Sequence, residues 1–204
     1  MRQHALQYVK PHPAWQPCAE HGEPPANALV DIPAGAVQLG RSFDEPIYGW
    51  DNEYGQHHAE VPAFQAARYL VSNREYLGFV DAGGYADDSL WDEEGLGWKR
   101  YARAEHPTFW VPDASGWKLR LMAEEVPMRW DWPAEVNCLE ARAFCRWKAR
   151  ETGQPVRLPT EDEWNRIHDH VGLADVPHDA PANANLHLDH WASSCPVTRF
   201  AHGE

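Results

Sequence analysis

Between two clear helix patterns lie about 50 residues, Tyr85 to Glu135, that hold six of the chain's eleven tryptophans and almost no hydrophobic period. A structureless stretch of that length is uncommon inside a compact domain and is usually functional. Tryptophan is costly to leave in water and packs well without regular structure. Indoles set among Gly, Pro and Asp therefore imply long loops held by their own side chains. Two readings follow, an aromatic-lined pocket and the core of a loop-rich fold, and for any single Trp the core is the plainer one.

The rest of the chain is organised around that stretch. Residues 1–28 are rich in Pro, His and polar side chains without a period, and read as a linker or N-terminal arm before a domain over 29–204. LVDIPAGAVQLGR reads as a strand, a Pro-Ala-Gly turn and a second strand. AEVPAFQAARYLVS reads as a strand broken by Pro62, with Val61, Phe64 and Tyr69 facing inward. Ser72 with Glu75, Asn137 with Glu140 and Thr160 with Glu163 are capping boxes opening three helices, which Gly83-Gly84, Gly153 and Gly172 close. The third helix is expected to bury Trp164 and Ile167. No strand–helix alternation and no repeat occurs, so the fold class is α+β with a small antiparallel sheet, few helices and long ordered loops.

Composition removes several functions. The 204 residues carry a net charge of −13 and no Lys/Arg run, so the electrostatic footprint of a nucleic-acid binder is missing. No 18-residue apolar run occurs, and MRQHALQYVKPHPAWQP has no apolar signal region, so a cytoplasmic location is expected, without a membrane partner. Cys138 and Cys145 lie seven apart in a helical pattern, about 10 Å along the axis, too far to bridge. Cys18 and Cys195 are able to pair.

Twelve histidines invite a metal reading. Non-haem iron sites use His-x-Asp/Glu with a distant His, and such pairs stand at His21/Glu23, His58/Glu60, His187/Asp189 and His202/Glu204. Chance alone produces about two of them from this composition. His187 and His190 share a face only if NANLHLDHW is helical, and its Asn residues favour a turn. HExxH, paired CxxC, GxSxG, a Walker loop and GxGxxG are all absent. No metal ligand or catalytic residue is assigned on these grounds. Asp51 and Glu53 in GWDNE are candidates for holding a cation or a substrate ammonium, with solvated or capping acids as the plainer reading. Asp131, between Trp130 and Trp132 and before Pro133, is expected to be partly buried and to need an Arg or backbone N–H partner. Arg157 is the candidate for an internal salt bridge, and Cys145 reads as packing.

From about Leu29 onward the chain resembles the formylglycine-generating-enzyme-like domain, also called the sulfatase-modifying-factor domain. IPAGAVQLGR at 32–41, YLVSNREYLGFVDAGGY at 69–85, AFCRWKA at 143–149 and RLPTEDEW at 157–164 carry the likeness. Within the family, GWDNEYG at 49–55, HPTFW at 106–110, WDWPAEVNCLEARAFCRWK at 130–148 and HWASSCPV at 190–197 are most similar to the 5-histidylcysteine sulfoxide synthases of ovothiol biosynthesis. The ergothioneine-pathway synthases share the GWDNE element.

The resemblance implies a C-type-lectin-like fold and an Fe(II)- and oxygen-dependent reaction that joins cysteine to the imidazole of histidine and oxidises the sulfur to a sulfoxide. It also implies three iron-binding histidines on an N-terminal DinB-like domain and a catalytic tyrosine beyond a GNVWEW-like segment, and this sequence contains neither. The expectation is therefore a domain truncated at both ends and incomplete at the C-terminus. It binds no iron alone, is inactive alone, and is completed by a second chain. Candidate substrate-binding residues are Trp50, Asp51, Asn52 and Glu53 with Trp130, Asp131 and Trp132, presenting charge-assisted hydrogen bonds against aromatic walls. The alternatives are a non-catalytic C-type-lectin-like binding module and an ergothioneine-type sulfoxide synthase fragment. A formylglycine-generating enzyme is weaker, because its reactive cysteines fall beyond this C-terminus.

Overall fold

In a computed structural model that describes residues 10–46, 48–114, 116–172, 185 and 191–200, the chain divides into two compact units. The first comprises Met1–Asn27, Tyr69–Leu158 and Pro177–Glu204, the second Ala28–Arg68 and Pro159–Val176. Among the described residues the architecture is four α-helices and three small antiparallel sheets, the mixed α and β content expected.

The second unit begins with β1 (Leu29–Ile32) and β2 (Gly35–Leu39), separated by the Pro-Ala turn. These neighbours do not pair with each other. β3 (His57–Val61) pairs with β2, and β4 (Phe64–Ala67) pairs with β1, so Pro62 falls in the connection where its missing N–H is harmless. The registers Ile32↔Phe64 and Val37↔Ala59 bury Ile32 and Val37, and Val61 is buried with them.

In the first unit α1 (Asn73–Asp81) starts where Ser72 accepts from the Glu75 N–H. Only half of this box forms, because the Glu75 carboxylate is spent on Asn27 and Lys148 instead. A short turn at Asp88–Leu90 leads into α2 (Glu93–Ala102), a helix within the supposed structureless stretch. Asp92 caps it through the Gly95 N–H, but Gly95 and Gly97 carry poor helix propensity and hide the pattern. Packing supplies what propensity lacks. Arg142 and Arg146 reach Asp92, and Arg150 reaches Asp87. Beyond α2, β5 (Trp110–Asp113), β6 (Gly116–Arg120) and β7 (Glu125–Pro127) form a three-stranded sheet in that order. Pro112 disguises β5, and it is tolerated because β5 is an edge strand.

The two remaining helices follow their boxes. In the first unit α3 (Cys138–Thr152) has both halves of the Asn137–Glu140 box and ends at Gly153. In the second unit α4 (Glu161–Val171) has both halves of the Thr160–Glu163 box, ends at Gly172, and packs on β2. The expectation that α4 buries Trp164 is corrected. Trp164 is 58% exposed and stacks on His168, because the sheet-side contact is made by Arg166, which donates to the Pro33 carbonyl. Ile167 is half-buried.

The large core lies in the first unit and is aromatic. Tyr76 stacks on Phe144 at 5.3 Å, Phe79 meets Trp147 edge-on, and Trp110 and Trp132 are almost fully buried. Gly84 is required here, since a Cβ at that position would lie 2.2 Å from the Phe79 ring. None of the four cysteines, all described, is in a disulfide, and Cys145 is core packing whose thiol burial pushes up.

Glu140 sits in that core, 2% exposed, accepting from the Tyr85 hydroxyl at 2.5 Å and the Asn137 N–H at 2.9 Å. Burial outweighs these donors and raises its carboxyl above the ordinary value near 4.5. The folded state therefore holds this proton more tightly than the unfolded state, and the contribution to stability falls as pH rises through that window. Glu140→Gln removes the ionisable group while keeping an acceptor, so the variant should gain melting temperature relative to wild type as pH rises from about 4.5 to 7.5, read by near-ultraviolet circular dichroism. A difference that does not change with pH would refute this account. Asp92→Ala should cost about 1–2 kcal/mol by loss of the cap, read as a urea midpoint shift.

Candidate functional site

The seven predicted site residues fall into two groups, one in each unit. In the second unit the chain leaves β2 at Gly40, whose φ of 89° and 2.3 Å approach of the Gly55 carbonyl to a would-be Cβ leave room for glycine alone. Arg41 then organises the loop. Its N–H donates to the Glu53 carbonyl and its carbonyl accepts from Gly55, while the guanidinium binds the Tyr48 carbonyl at 3.0 Å, Glu45 at 2.9 Å and Glu53 at 3.3 Å. The bond from Arg41 and the Ser42 N–H together hold the Glu45 carboxyl below its usual range.

This scaffold assigns different roles to neighbours in sequence. The Glu53 carboxylate also accepts from the Trp50 N–H, so it builds the loop rather than projecting from it. Trp50 is 65% exposed and meets Tyr48 edge-on at 5.8 Å, with Asp51 and Asn52 exposed on the short turn that follows. Phe43 stacks on Tyr54 at 4.8 Å and is also exposed. The Arg41 anchor and these flanking aromatics were missed in the sequence, where only the acid spacing in GWDNE carried a signal.

In the first unit the Trp130–Trp132 segment is threaded between structural demands. Trp130 lies under the Arg74 guanidinium at 4.3 Å and meets Trp110 edge-on, a cation–π and an aromatic contact together. Trp132 is fully buried, its indole N–H donating to the Glu20 carbonyl at 2.9 Å. Asn73, at the start of α1, binds the Trp132 carbonyl, the Arg129 carbonyl and the Trp110 indole N–H.

Asp131 is 5% exposed, as its flanking indoles foretold. The Gly22 N–H and its own N–H favour its carboxylate, with His21 and Arg129 nearby, yet burial dominates and raises the group above the ordinary range. Its Oδ1 meets no donor. Backbone N–H groups are thus among the groups that favour the Asp131 carboxylate, and Arg157 donates to the Leu158 carbonyl at 3.1 Å.

Among the described residues no three His, Cys, Asp or Glu side chains converge as a metal-binding group, so they do not compose an iron ligand set. His58 and Glu60 are on β3, His21 and Glu23 lie in the irregular N-terminal segment, and His187, His190 and His202 lie outside the described residues. No helix among the described residues is long and apolar enough to cross a membrane.

Replacing Arg41 by Ala should release the loop while the fold persists. The expected result is at least tenfold faster hydrogen exchange at the Gly49–Tyr54 amides with unchanged far-ultraviolet circular dichroism, and unaltered exchange would remove Arg41 as the organiser.

Similarity to known proteins agrees with the motifs on the family. The chain is 36% identical over 124 residues to hercynine oxygenase of Mycolicibacterium thermoresistibile, covering 60% of this chain and 26% of that protein. It is 33% identical over 142 residues to hercynine oxygenase of Mycolicibacterium smegmatis, covering 69% and 31%. A formylglycine-generating enzyme of Bos taurus is 29% identical over 154 residues, covering 69% and 39%. The chain thus spans between about a quarter and two fifths of the length of these relatives. The sulfatase-modifying factor enzyme 1-like domain matches residues 16–168, three quarters of the chain, and the protein belongs to that family.

Proposed function

We propose that this chain is part of an iron- and oxygen-dependent sulfoxide synthase that joins the sulfur of cysteine to the imidazole of histidine, as in ovothiol biosynthesis, on a C-type-lectin-like scaffold. It supplies binding surfaces and is inactive alone. The observation that supports the oxygenase part of this reading is the 33–36% identity to relatives named as hercynine oxygenases over 60–69% of the chain. The geometry adds exposed Trp50, Asp51 and Asn52 on a loop held by Arg41 and Glu53 in the second unit, while Asp131 in the first unit is buried between Trp130 and Trp132 and its Oδ1 meets no donor. An acid beside exposed indole faces suits a cationic nitrogen, whose attraction to both strengthens away from water.

Iron in such an enzyme supplies oxygen activation. The role assigned to this chain is to bind and orient the organic substrates. A completing chain, as a second partner, belongs to the same proposal. The relatives' name favours a second reading, in which the imidazole substrate is hercynine.

Calorimetric titration of the purified chain with histidine, hercynine and cysteine tests the proposal. One imidazole substrate should bind, Asp51→Asn should weaken it by about tenfold or more through loss of a charged hydrogen bond, and Fe(II) with oxygen should yield no product. Stronger binding of hercynine than histidine would select the second reading. Turnover by the unaided chain would overturn the claim of inactivity, and failure of both imidazoles to bind would overturn the assignment of substrate binding to this chain.

A further inference from the structure

The segment between Gln16 and Asn27 in the first unit has no regular structure, yet it is fastened along its length. The Gln16 carbonyl accepts from the Ala192 N–H at 3.0 Å, and the Cys18 N–H donates to Ser193 Oγ at 2.8 Å. The Glu20 carbonyl accepts the Trp132 indole N–H, while the Glu20 carboxylate accepts from Arg199 Nε at 3.0 Å. Glu23 lies 4.0 Å from Arg74, and the Asn27 side chain binds the backbone of Tyr69 at both its N–H and its carbonyl. At the middle, the Gly22 N–H faces the Asp131 carboxylate.

All these anchors are ordinary paired groups except the one at the centre. Asp131 is buried, its Oδ1 has no donor, its backbone carbonyl is held by the Val197 N–H, and its Oδ2 lies 3.7 Å from the Cβ position of Gly22, so the carboxyl group is dry beneath the segment. A buried carboxylate short of donors is the costly form and a neutral carboxyl the cheap one. We propose that residues 18–23 form a strap over Asp131 whose closure is controlled by protonation of that carboxyl group. The device is independent of which substrate the enzyme takes.

The charged and titratable groups around it are Cys18, Glu20, His21 and Glu23 on the strap, Arg129 on the Asp131 segment, Arg199 on the 191–200 segment and Arg74 on α1. His21 and Arg129 favour the ionised form, but burial outweighs them. Glu20 and Glu23 are themselves engaged by Arg199 and Arg74. The sign follows. In the closed state Asp131 keeps its proton above the pH at which a hydrated carboxyl loses it, so raising the pH favours the open strap, in which the carboxylate is hydrated.

Hydrogen exchange on the full chain, expressed as protection factors, tests this. Protection at the Cys18 and Gly22 amides should fall as pH rises from the ordinary carboxyl value near 3.8, by about tenfold in all for each unit that burial raises the carboxyl group. Asp131→Asn should abolish the fall, and His21→Gln, which removes the strap's own imidazole, should retain it. A flat wild-type profile, a fall that persists in Asp131→Asn, or one that vanishes in His21→Gln would overturn the proposal. The wild-type and His21→Gln profiles decide it even if Asp131→Asn does not fold.

Discussion

A buried indole brings a large apolar surface and one N–H that must find an acceptor, and the first unit is arranged around that double demand. Trp91 donates to the Gly84 carbonyl, Trp110 to the Asn73 side chain and Trp132 to the Glu20 carbonyl. Each acceptor lies at a turn, at the start of a helix or in an irregular segment, so each bond pins a piece of chain that has no ladder of its own. Trp147 is the exception, its indole N–H unpaired where the ring rests 3.1 Å from the Cβ position of Gly78. Asn73, fully buried, joins three such segments at once.

The two candidate regions solve opposite electrostatic problems. The Arg41 loop is exposed, and its charges are paired in water where each pair is weak, so its order depends on one guanidinium meeting several acceptors together. Asp131 is buried, so a single oxygen without a donor matters more there than any surface ion pair. The same residue type thus projects from one unit at Asp51 and becomes a buried proton-binding group in the other at Asp131.

Much of the local structure was legible because capping is a short-range code. Ser72, Asn137 and Thr160 start helices where a side-chain oxygen meets an N–H three residues on, and Gly153 and Gly172 end them in the left-handed region. α2 was hidden because two glycines suppress its propensity while Arg142 and Arg146, some 50 residues away, hold its cap. The β5–β7 sheet was hidden because Pro112 reads as a strand breaker unless its edge position is known. Of the site, the burial of Asp131 was legible from its two indole neighbours, whereas the Arg41 scaffold was not, since nothing in GWDNE indicates an arginine 12 residues before Glu53.

By itself the sequence determined the helix starts and stops, the aromatic character of the core and the family likeness, because each is carried by neighbouring residues or by motifs. Tertiary structure alone decided that β1 and β2 find separate partners, that Trp164 faces solvent and Asp131 does not, and that the Gln16–Asn27 segment is fastened by residues more than 100 positions away. Burial and long-range hydrogen bonding depend on what the rest of the chain brings close, and that information is spread over the whole fold.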